Sequence, residues 1–378
     1  MSSPARTWAA VLGLSAAAAA GVLALATSLH RRPAAEESFR MAPIQRIDAH
    51  QHVGPNTLGD AVRLAGMQGI RALVNLSGDH AGGELGAQLE AASRFGGRVA
   101  VFMELDLDGC CGAAWSEREV ARLAQGRAMG ARGLKVAKAL GLTVRDAGGR
   151  VPVDSPNLEP VWRACAALSL PVAIHSGDPR AFFEPPGPAN ERLEELRLAP
   201  EWSWADRSRF PPWRTVFDEF VRVVERHPGV QFLGVHFGND AEDPAEVSRL
   251  LDRLPNLWVD TAGRIPELGR RAEAARAAIL AHPDRVLFGT DLQWIEGPEV
   301  KAVILGAGPP AADPGELRRF FLGTYRFLET RDRAIPSPTP IQGRWDVDGM
   351  KLPRQVLEQV YRRNAERLLG FRLADHDL

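Results

Sequence analysis

The sequence lacks the features that mark several large protein classes. Its 378 residues include only three cysteines, Cys110, Cys111 and Cys165, and the first two are adjacent. This number and spacing exclude a disulfide framework and a zinc ribbon. The formal net charge is −1, and no basic cluster large enough for a nucleic-acid footprint occurs. We therefore expect no nucleic-acid partner.

A long uncharged run lies near the N-terminus, from Trp8 to Leu29, and Arg6 precedes it. Its length would just span a bilayer, and Ala24-Leu25-Ala26 is similar to the small-residue site where export signals are cleaved. We expect residues 1–40 to be a signal peptide or membrane anchor plus a linker. The protein would then be exported (periplasmic or extracellular) or membrane-anchored through residues 8–29. A disordered Ala-rich tail is the alternative.

From Ile44 onward, short apolar runs alternate with amphipathic stretches. Eight runs have the character of strands, at residues 44–50, 70–77, 98–105, 131–137, 170–176, 230–237, 256–262 and 285–291. This alternation predicts parallel βαβ units, and eight units over about 250 residues predict an α/β fold of the (β/α)8 TIM-barrel type at residues 41–373. A doubly wound open sheet is the alternative. It usually has a glycine-rich phosphate loop after its first strand, and "DAHQHVG" is not one.

Two connections are too long to be plain loops. Residues 177–214 follow the fifth predicted strand and are rich in proline, tryptophan and charge, and residues 292–352 follow the eighth. Long excursions at the carboxyl ends of barrel strands are where lids and substrate pockets lie. Trp202, Trp204 and Trp213 could form the wall of such a pocket or simply pack the first excursion.

Histidines are concentrated at the predicted strand ends. His50 and His52 are two residues apart, so a strand would direct both rings to one face. His175, His236 and Asp291 end the fifth, sixth and eighth predicted strands. In a barrel these carboxyl ends meet at one mouth. Imidazole and carboxylate groups brought together there are suitable ligands for a divalent metal.

The order of these motifs resembles the amidohydrolase superfamily, which has HxH on the first strand, histidines on the fifth and sixth, and aspartate on the eighth. The sequence is most similar to the amidohydrolase-related branch, which holds aminocarboxymuconate-semialdehyde decarboxylase-like enzymes and several lactonases. The resemblance covers about residues 44–370, including "LPVAIHSGDP", "FLGVHFGND" and "VLFGTD". It implies one divalent metal per chain, with Zn²⁺ as the expected ion. The implied ligands are His50, His52, His175 and Asp291.

The resemblance also implies the remaining roles at the site. His236 would polarise the substrate or move protons, and Asp291 would take a proton from water and pass it to the leaving group. Binuclear members carry a carboxylated lysine on the fourth strand, where this chain has Lys135 and Lys138. This branch is usually mononuclear, so both lysines are candidates for contacting an anionic substrate group. Plain solvated lysines are the alternative, and a two-metal site is a further one. Arg264, just past the seventh strand, is a candidate for binding a carboxylate because its guanidinium fork matches that group. A surface arginine without that role is the alternative.

Two aspartates near the site have expected supporting roles. Asp48 would share the face of His50 and His52 and orient an imidazole, or else be a buried carboxylate satisfied by the backbone. Asp260, on the seventh predicted strand, could hold Arg264.

The function expected from this set is metal-dependent hydrolysis of a small-molecule ester, lactone or amide. A non-oxidative decarboxylase of the same branch is the alternative enzyme. From another class, the chain could be a catalytically silent, membrane-tethered binding protein, but the intact set of five donors argues against that reading. The sequence does not specify the substrate or the oligomeric state.

Overall fold

The computed structural model describes residues 39–177, 179–296, 301–304 and 314–374. The predicted signal or anchor at residues 8–29 therefore lies outside the described residues. Twelve strands occur in the described part, and we number them in chain order. They are β1 Arg46–His52, β2 Ile70–Asn75, β3 Val99–Glu104, β4 Gly133–Val136, β5 Arg145–Asp146, β6 Gly149–Arg150, β7 Val172–Ile174, β8 Phe232–Gly234, β9 Leu257–Asp260, β10 Val286–Leu287, β11 Leu292–Ile295 and β12 Lys301–Ile304.

Ten of these strands form one curled sheet in the order β10-β9-β8-β7-β4-β3-β2-β1-β11-β12. Within the described residues, nine of them pair in parallel, and only β12 is antiparallel to its neighbour β11. Strands β5 and β6 form a separate small hairpin. The eight predicted strand regions overlap β1, β2, β3, β4, β7, β8, β9 and β10, respectively. A mostly parallel curled sheet with helices between its strands is an architecture of TIM-barrel type.

The eighth predicted strand, residues 285–291, contains only the short strand β10, and β11 begins just past its predicted end. Strand β10, Val286–Leu287, pairs with β9, whereas β11, Leu292–Ile295, pairs with β1. Between these strands, the Ala49 N–H donates to the Phe288 carbonyl and the Asp291 N–H donates to the His50 carbonyl, both at 2.9 Å. The segment after β10 therefore lies against the end of β1, where the predicted histidine pair is located.

Helices occupy most of the connections between the parallel strands. Their bounds are Leu58–Gly66, Leu85–Ser93, Ala113–Met129, Glu159–Ala167, Leu193–Leu198, Trp213–Arg226, Pro244–Arg253, Ile265–Arg270, Ala272–Ala281, Pro314–Glu329, Arg354–Glu358 and Asn364–Leu369, and the last two are joined by a π-helical turn at Gln359–Arg363. The helix Ala113–Met129 ends at Gly130 in the left-handed conformation, φ 118°, which glycine adopts readily. In the described part of the chain, no helix combines the length and the apolar character that crossing a bilayer requires.

The sheet separates two apolar clusters. In β3, Ala100 and Phe102 belong to one cluster, and Val101 and Met103 belong to the other. This alternation follows from the opposite directions of successive side chains in a strand. Because both faces of the sheet are covered, its strands are apolar nearly throughout, as in other buried parallel sheets.

The first long excursion, after β7, has a small apolar core of its own. Phe182, Phe183, Trp204 and Phe210 are buried together in it and pack against Leu142. Trp204 is therefore a packing residue of this excursion. Cys165 is a buried free thiol.

Candidate functional site

Three side chains converge where β1 ends. Oδ1 of Asp291 lies 3.2 Å from Nε2 of His50 and 3.2 Å from Nε2 of His52. Asp291 has a left-handed backbone, φ 65°, which is uncommon for a residue other than glycine and often marks functional sites. The hydrogen bond from its N–H to the His50 carbonyl fixes this segment beside β1. The structure thus brings three of the four predicted metal ligands together.

Asp260, the last residue of β9, orients His50. Its Oδ2 lies 2.9 Å from Nδ1 of His50, and its Oδ1 accepts hydrogen bonds from the N–H groups of His236 and Ala262. A carboxylate on Nδ1 fixes both the ring and its tautomer and leaves the lone pair on Nε2. This role was missed in the sequence, where the position of Asp260 at a strand end was the available signal.

The charges around His50 favour a bound cation. Burial by itself lowers the pKa of His50, but Asp260 and Asp291 outweigh burial and raise that pKa to about 9. Burial by itself raises the pKa of Asp291, but the positive charge of His50 holds it well below its usual range. Two carboxylates therefore face one buried imidazole, and this arrangement stabilises a proton or a metal ion at the imidazole.

The surroundings of Nε2 of His50 indicate whether the residues fit a metal. It is buried and has no hydrogen-bond partner, although Oδ1 of Asp291 lies within ion-pair distance at 3.2 Å. A lone pair that faces a carboxylate oxygen in a buried site is unfavourable unless a cation lies between them. His50, His52 and Asp291 offer donor atoms within 4.8 Å of one another. The residues present therefore fit a divalent metal.

A second group of possible donor atoms lies as close together, but its carboxylate oxygens are already engaged in hydrogen bonds. It consists of His50, His236 and Asp260, whose donor atoms are also within 4.8 Å of one another. Both carboxylate oxygens of Asp260 already accept hydrogen bonds from N–H groups. The set with Asp291 is therefore the better candidate.

His52 is supported by a residue that the sequence analysis did not single out. Its Nδ1 lies 2.7 Å from Oγ of Ser77, just after β2. Burial lowers the pKa of His52, with Asp291 acting in the opposite direction. The neutral ring can then donate from Nδ1 to the serine and keep a lone pair on Nε2, which is the form that binds a metal.

His236 follows β8 in a left-handed turn, with φ 55° at His236 and φ 57° at Phe237. Its Nδ1 lies 2.8 Å from the carbonyl oxygen of Ala262, which can only accept, so the proton is on Nδ1. The centre of its ring is 5.0 Å from that of His50 and 4.4 Å from that of His175. In this tautomer the lone pair of the His236 ring is on Nε2.

His175 lies at the edge of this cluster. Its backbone N–H donates to the carbonyl of Val136 at 2.9 Å, and its ring meets His236 edge-on, with an interplanar angle of 65°. In the described chain, the close donor groups do not include His175. Its role as a metal ligand therefore stays a prediction.

The expectation that Asp48 shares the face of the two histidines is wrong. Asp48 accepts hydrogen bonds from Nε2 of Gln51 at 2.7 Å and from Oγ1 of Thr290 at 2.6 Å, and it also accepts from the His50 N–H. The register with β2 shifts between Asp48 and Gln51, and such irregularities redirect side chains. Burial raises the pKa of Asp48 to about 6, against these hydrogen bonds. Asp48 joins β1 to the segment after β10 and does not bond an imidazole ring.

Two of the predicted substrate-binding cations are buried near the mouth. Lys135 lies in β4, opposite Glu104 of β3 in the sheet register. Burial raises the pKa of Glu104 to about 7, although Lys135 opposes that rise. Arg264 is 4% exposed, so it is not a surface arginine. The preceding residue, Gly263, lies so near Asp291 that an added Cβ would come 2.9 Å from Oδ2 of Asp291.

Lys138 has a different environment from Lys135. Its ammonium lies over three aromatic rings, 4.6 Å from the ring centre of Trp202, 4.9 Å from Trp204 and 5.2 Å from Phe182. These distances are those of cation–π contacts. Lys138 therefore connects the end of β4 to the first excursion.

Comparisons with known proteins identify the family and the fold. A model of the amidohydrolase family matches residues 47–371. The structure is similar to that of 2,6-dihydroxybenzoate decarboxylase complexed with 2,6-dihydroxybenzoate, with 15% identity, coverage of 87% of this chain and 100% of that chain, and a TM-score of 0.52. The same enzyme from Rhizobium gives 15% identity, coverage of 86% and 99%, and a TM-score of 0.51.

A probable 2-pyrone-4,6-dicarboxylic acid hydrolase from Acinetobacter baumannii is also similar, with 12% identity, coverage of 87% and 100%, and a TM-score of 0.46. A comparison with curated proteins found no match. Likeness at these identities concerns the fold alone. The family model, in contrast, covers most of the chain and every residue of the cluster. The chain therefore belongs to the amidohydrolase family, in its amidohydrolase-related branch, and is an enzyme of that type.

Proposed function

We propose that this enzyme is a metal-dependent hydrolase that acts on a small-molecule ester, lactone or amide. The observation that carries the proposal is the position of Asp291, whose Oδ1 lies 3.2 Å from Nε2 of both His50 and His52. These three residues and His175 would hold one divalent ion, and zinc suits imidazole and carboxylate ligands. A bound divalent metal supplies Lewis acidity, which makes water more acidic and polarises a carbonyl group.

Two residues of this chain would move protons. Asp291 would accept a proton from the attacking water and pass it to the leaving group, as a positioned general base and acid. With Nδ1 of His236 bonded to the Ala262 carbonyl, Nε2 can accept a proton and then donate a hydrogen bond to the negative charge that develops on the substrate oxygen. Ser77 and Asp260 would keep the two ligand rings in place.

An anionic group on the substrate would be bound by cations at the mouth. Lys135 and Arg264 are both buried, and burial away from water strengthens their attraction for a carboxylate. Lys138 would contribute as well, but its ammonium already faces three rings. The excursion that holds these rings would then form a wall of the substrate pocket.

A non-oxidative decarboxylase is the second candidate function. Two structures of similar fold are described as 2,6-dihydroxybenzoate decarboxylases. Both reactions use a cation cluster near a proton-transferring histidine, so the residues of the site do not separate them. They differ in their products.

The test is a screen of lactones, esters and aromatic acids in ¹⁸O-labelled water, with metal analysis of the same protein. Hydrolysis puts the label into the product acid and releases no carbon dioxide. Release of carbon dioxide, with uptake of a solvent proton by the product carbon, would replace the hydrolase proposal by the decarboxylase. The variant His50→Ala/His52→Ala should lose both metal and turnover. The control His282→Asn alters a histidine outside the cluster and should retain both.

A further inference from the structure

The segment that leads into β1, at the end of that strand opposite the candidate metal site, borders a cavity of about 1080 Å³. Arg46 begins β1 and His52 ends it, so this strand separates the two regions by roughly 20 Å at about 3.3 Å per residue. Glu329 lines the cavity and bonds Arg46 at 2.8 Å, which places the cavity beside the start of β1. The residues of the metal cluster do not line it.

The lining of this cavity is strongly basic. It contains six cationic side chains and two acidic ones, Glu329 and Asp332. The cations are Arg40, Arg276, Arg326, Arg331, Lys351 and Arg354. Both acids are already engaged, because Glu329 pairs with Arg46 and Asp332 pairs with Arg326. The excess of positive charge is therefore not neutralised by the acidic residues of the lining.

Among the described residues, four of these cations form no ion pair: Arg40, Arg276, Arg331 and Lys351. Nε of Arg276 is in addition buried without a hydrogen-bond partner. Burying a guanidinium N–H without an acceptor is unfavourable. Like charges around one cavity also repel one another, so a bound anion would relieve both costs.

The backbone at one side of the cavity holds a cationic residue in place. Lys351 has a left-handed conformation, φ 44°, and its N–H donates to the carbonyl of Thr330 at 2.7 Å. This conformation costs a lysine on the order of 1 kcal/mol or more and persists only where the surroundings impose it. Thr330 lines the same cavity, so the hydrogen bond holds Lys351 at its edge.

We propose that this cavity binds a phosphate group that carries two negative charges. Guanidinium groups match phosphate oxygens with paired hydrogen bonds, and Lys351 adds a compact positive charge. The phosphate could belong to a soluble phosphate ester or to the headgroup of an anionic lipid. Phe39, Leu352 and Leu357 also line the cavity and would contact an apolar part of either ligand.

The experiment uses the full chain and two probes. Inorganic phosphate, titrated at constant ionic strength, represents the soluble ligand. Vesicles of phosphatidylcholine with phosphatidic acid, compared with vesicles of phosphatidylcholine alone, represent the headgroup. The variant Arg276→Gln/Lys351→Gln tests the cavity. The matched control Arg94→Gln/Arg163→Gln removes the same charge from exposed helix positions.

We expect saturable binding of at least one probe by the wild type and the control, and at least a tenfold loss of affinity in the cavity variant. Turnover of the cavity variant should stay at the wild-type level, because the candidate metal site lies at the other end of β1. Binding that is equal in all three proteins, or absent from all of them, would overturn the proposal. If Arg276→Gln/Lys351→Gln does not fold, Arg40→Gln/Arg331→Gln alters two exposed cations and is judged by the same outcomes.

Discussion

At the scale of single residues, the chemistry depends on the two ring nitrogens of His50, which face different carboxylates. Asp260 holds Nδ1 at 2.9 Å, and Nε2 faces Asp291. The first interaction selects the tautomer that the second requires for metal binding.

We predict that Asp260→Asn weakens metal binding by roughly 10–100-fold. The asparagine amide can donate to Nδ1, which moves the ring proton to Nε2, where a metal ligand needs a lone pair. Elemental analysis after dialysis against metal-free buffer measures the loss. Asp284→Asn, which changes an exposed aspartate, should keep the wild-type content. Equal content in both variants would show that Asp260 does not set the tautomer.

A second residue-scale prediction concerns the pH dependence of stability. The pKa of Glu104 rises from 4.5 to about 7 on folding, mainly through burial. Between these values the folded chain keeps a proton that the unfolded chain loses, so its contribution to stability is lost as pH rises from about 4.5 to about 7. Glu104→Gln does not titrate. We compare the unfolding free energy of the variant with that of the wild type at each pH. This difference should be more favourable to the variant at pH 8 than at pH 4.5, by on the order of 1–3 kcal/mol.

Urea unfolding of both proteins at the two pH values measures this gain. Glu90→Gln is the control because Glu90 is an exposed helix residue. It should change stability by the same small amount at both pH values. A Glu104→Gln difference that does not depend on pH would contradict the assigned burial effect.

At the scale of elements, the loops after the strands set the positions of the reactive groups. Asp260 bonds the ring of His50, His236 lies in the turn after β8, and Asp291 lies in the segment after β10. Left-handed residues occur at His236, Gly263 and Asp291, so these loops turn sharply where the strands end. Such conformations are retained where the surrounding packing fixes them.

Gly263→Ala should therefore damage the site as well as the loop. At φ 62° an alanine costs about 1–2 kcal/mol, and its Cβ would lie 2.9 Å from Oδ2 of Asp291. We expect a lower unfolding free energy together with reduced metal content, measured by denaturation and elemental analysis. Gly187→Ala is the control, because its added Cβ meets nothing within 4 Å. A Gly263→Ala protein with wild-type metal content would show that Asp291 can move without loss of the site.

At the scale of the whole molecule, the packed structure of the described residues begins just before β1. The N–H of Ala42 bonds Oε2 of Glu329 at 2.6 Å, and Arg46 lies over the rings of Tyr325 and Tyr361. These contacts join the start of β1 and the segment before it to the helix Pro314–Glu329 and the π-helical turn Gln359–Arg363.

We therefore predict that deletion of residues 1–38 leaves a folded enzyme with its metal and its turnover. The measurements are the thermal unfolding midpoint, the metal content and the activity beside those of the full chain. A longer deletion, of residues 1–45, removes the Ala42 contact as well and should lower the midpoint. Misfolding of the shorter deletion would contradict the boundary that the sequence predicts.

The sequence by itself determined the features that depend on local order. Alternating apolar runs predicted all eight strand regions, because strand and helix periodicity can be read from neighbouring residues. The spacing of His50 and His52 predicted one shared face, and both rings do face the same oxygen of Asp291.

Only the tertiary structure decided which groups contact the ring nitrogens of the histidines. Asp260 and Ser77 are 210 and 25 residues away from the rings that they contact, and nothing in the spacing along the chain encodes those pairs. The shift in register after Asp48 reversed its expected face, since strand pairing can redirect a side chain that periodicity alone assigns. The basic cavity likewise joins the start of the sheet to residues about 300 positions later, so its charge accumulates only when the folded chain brings these segments together.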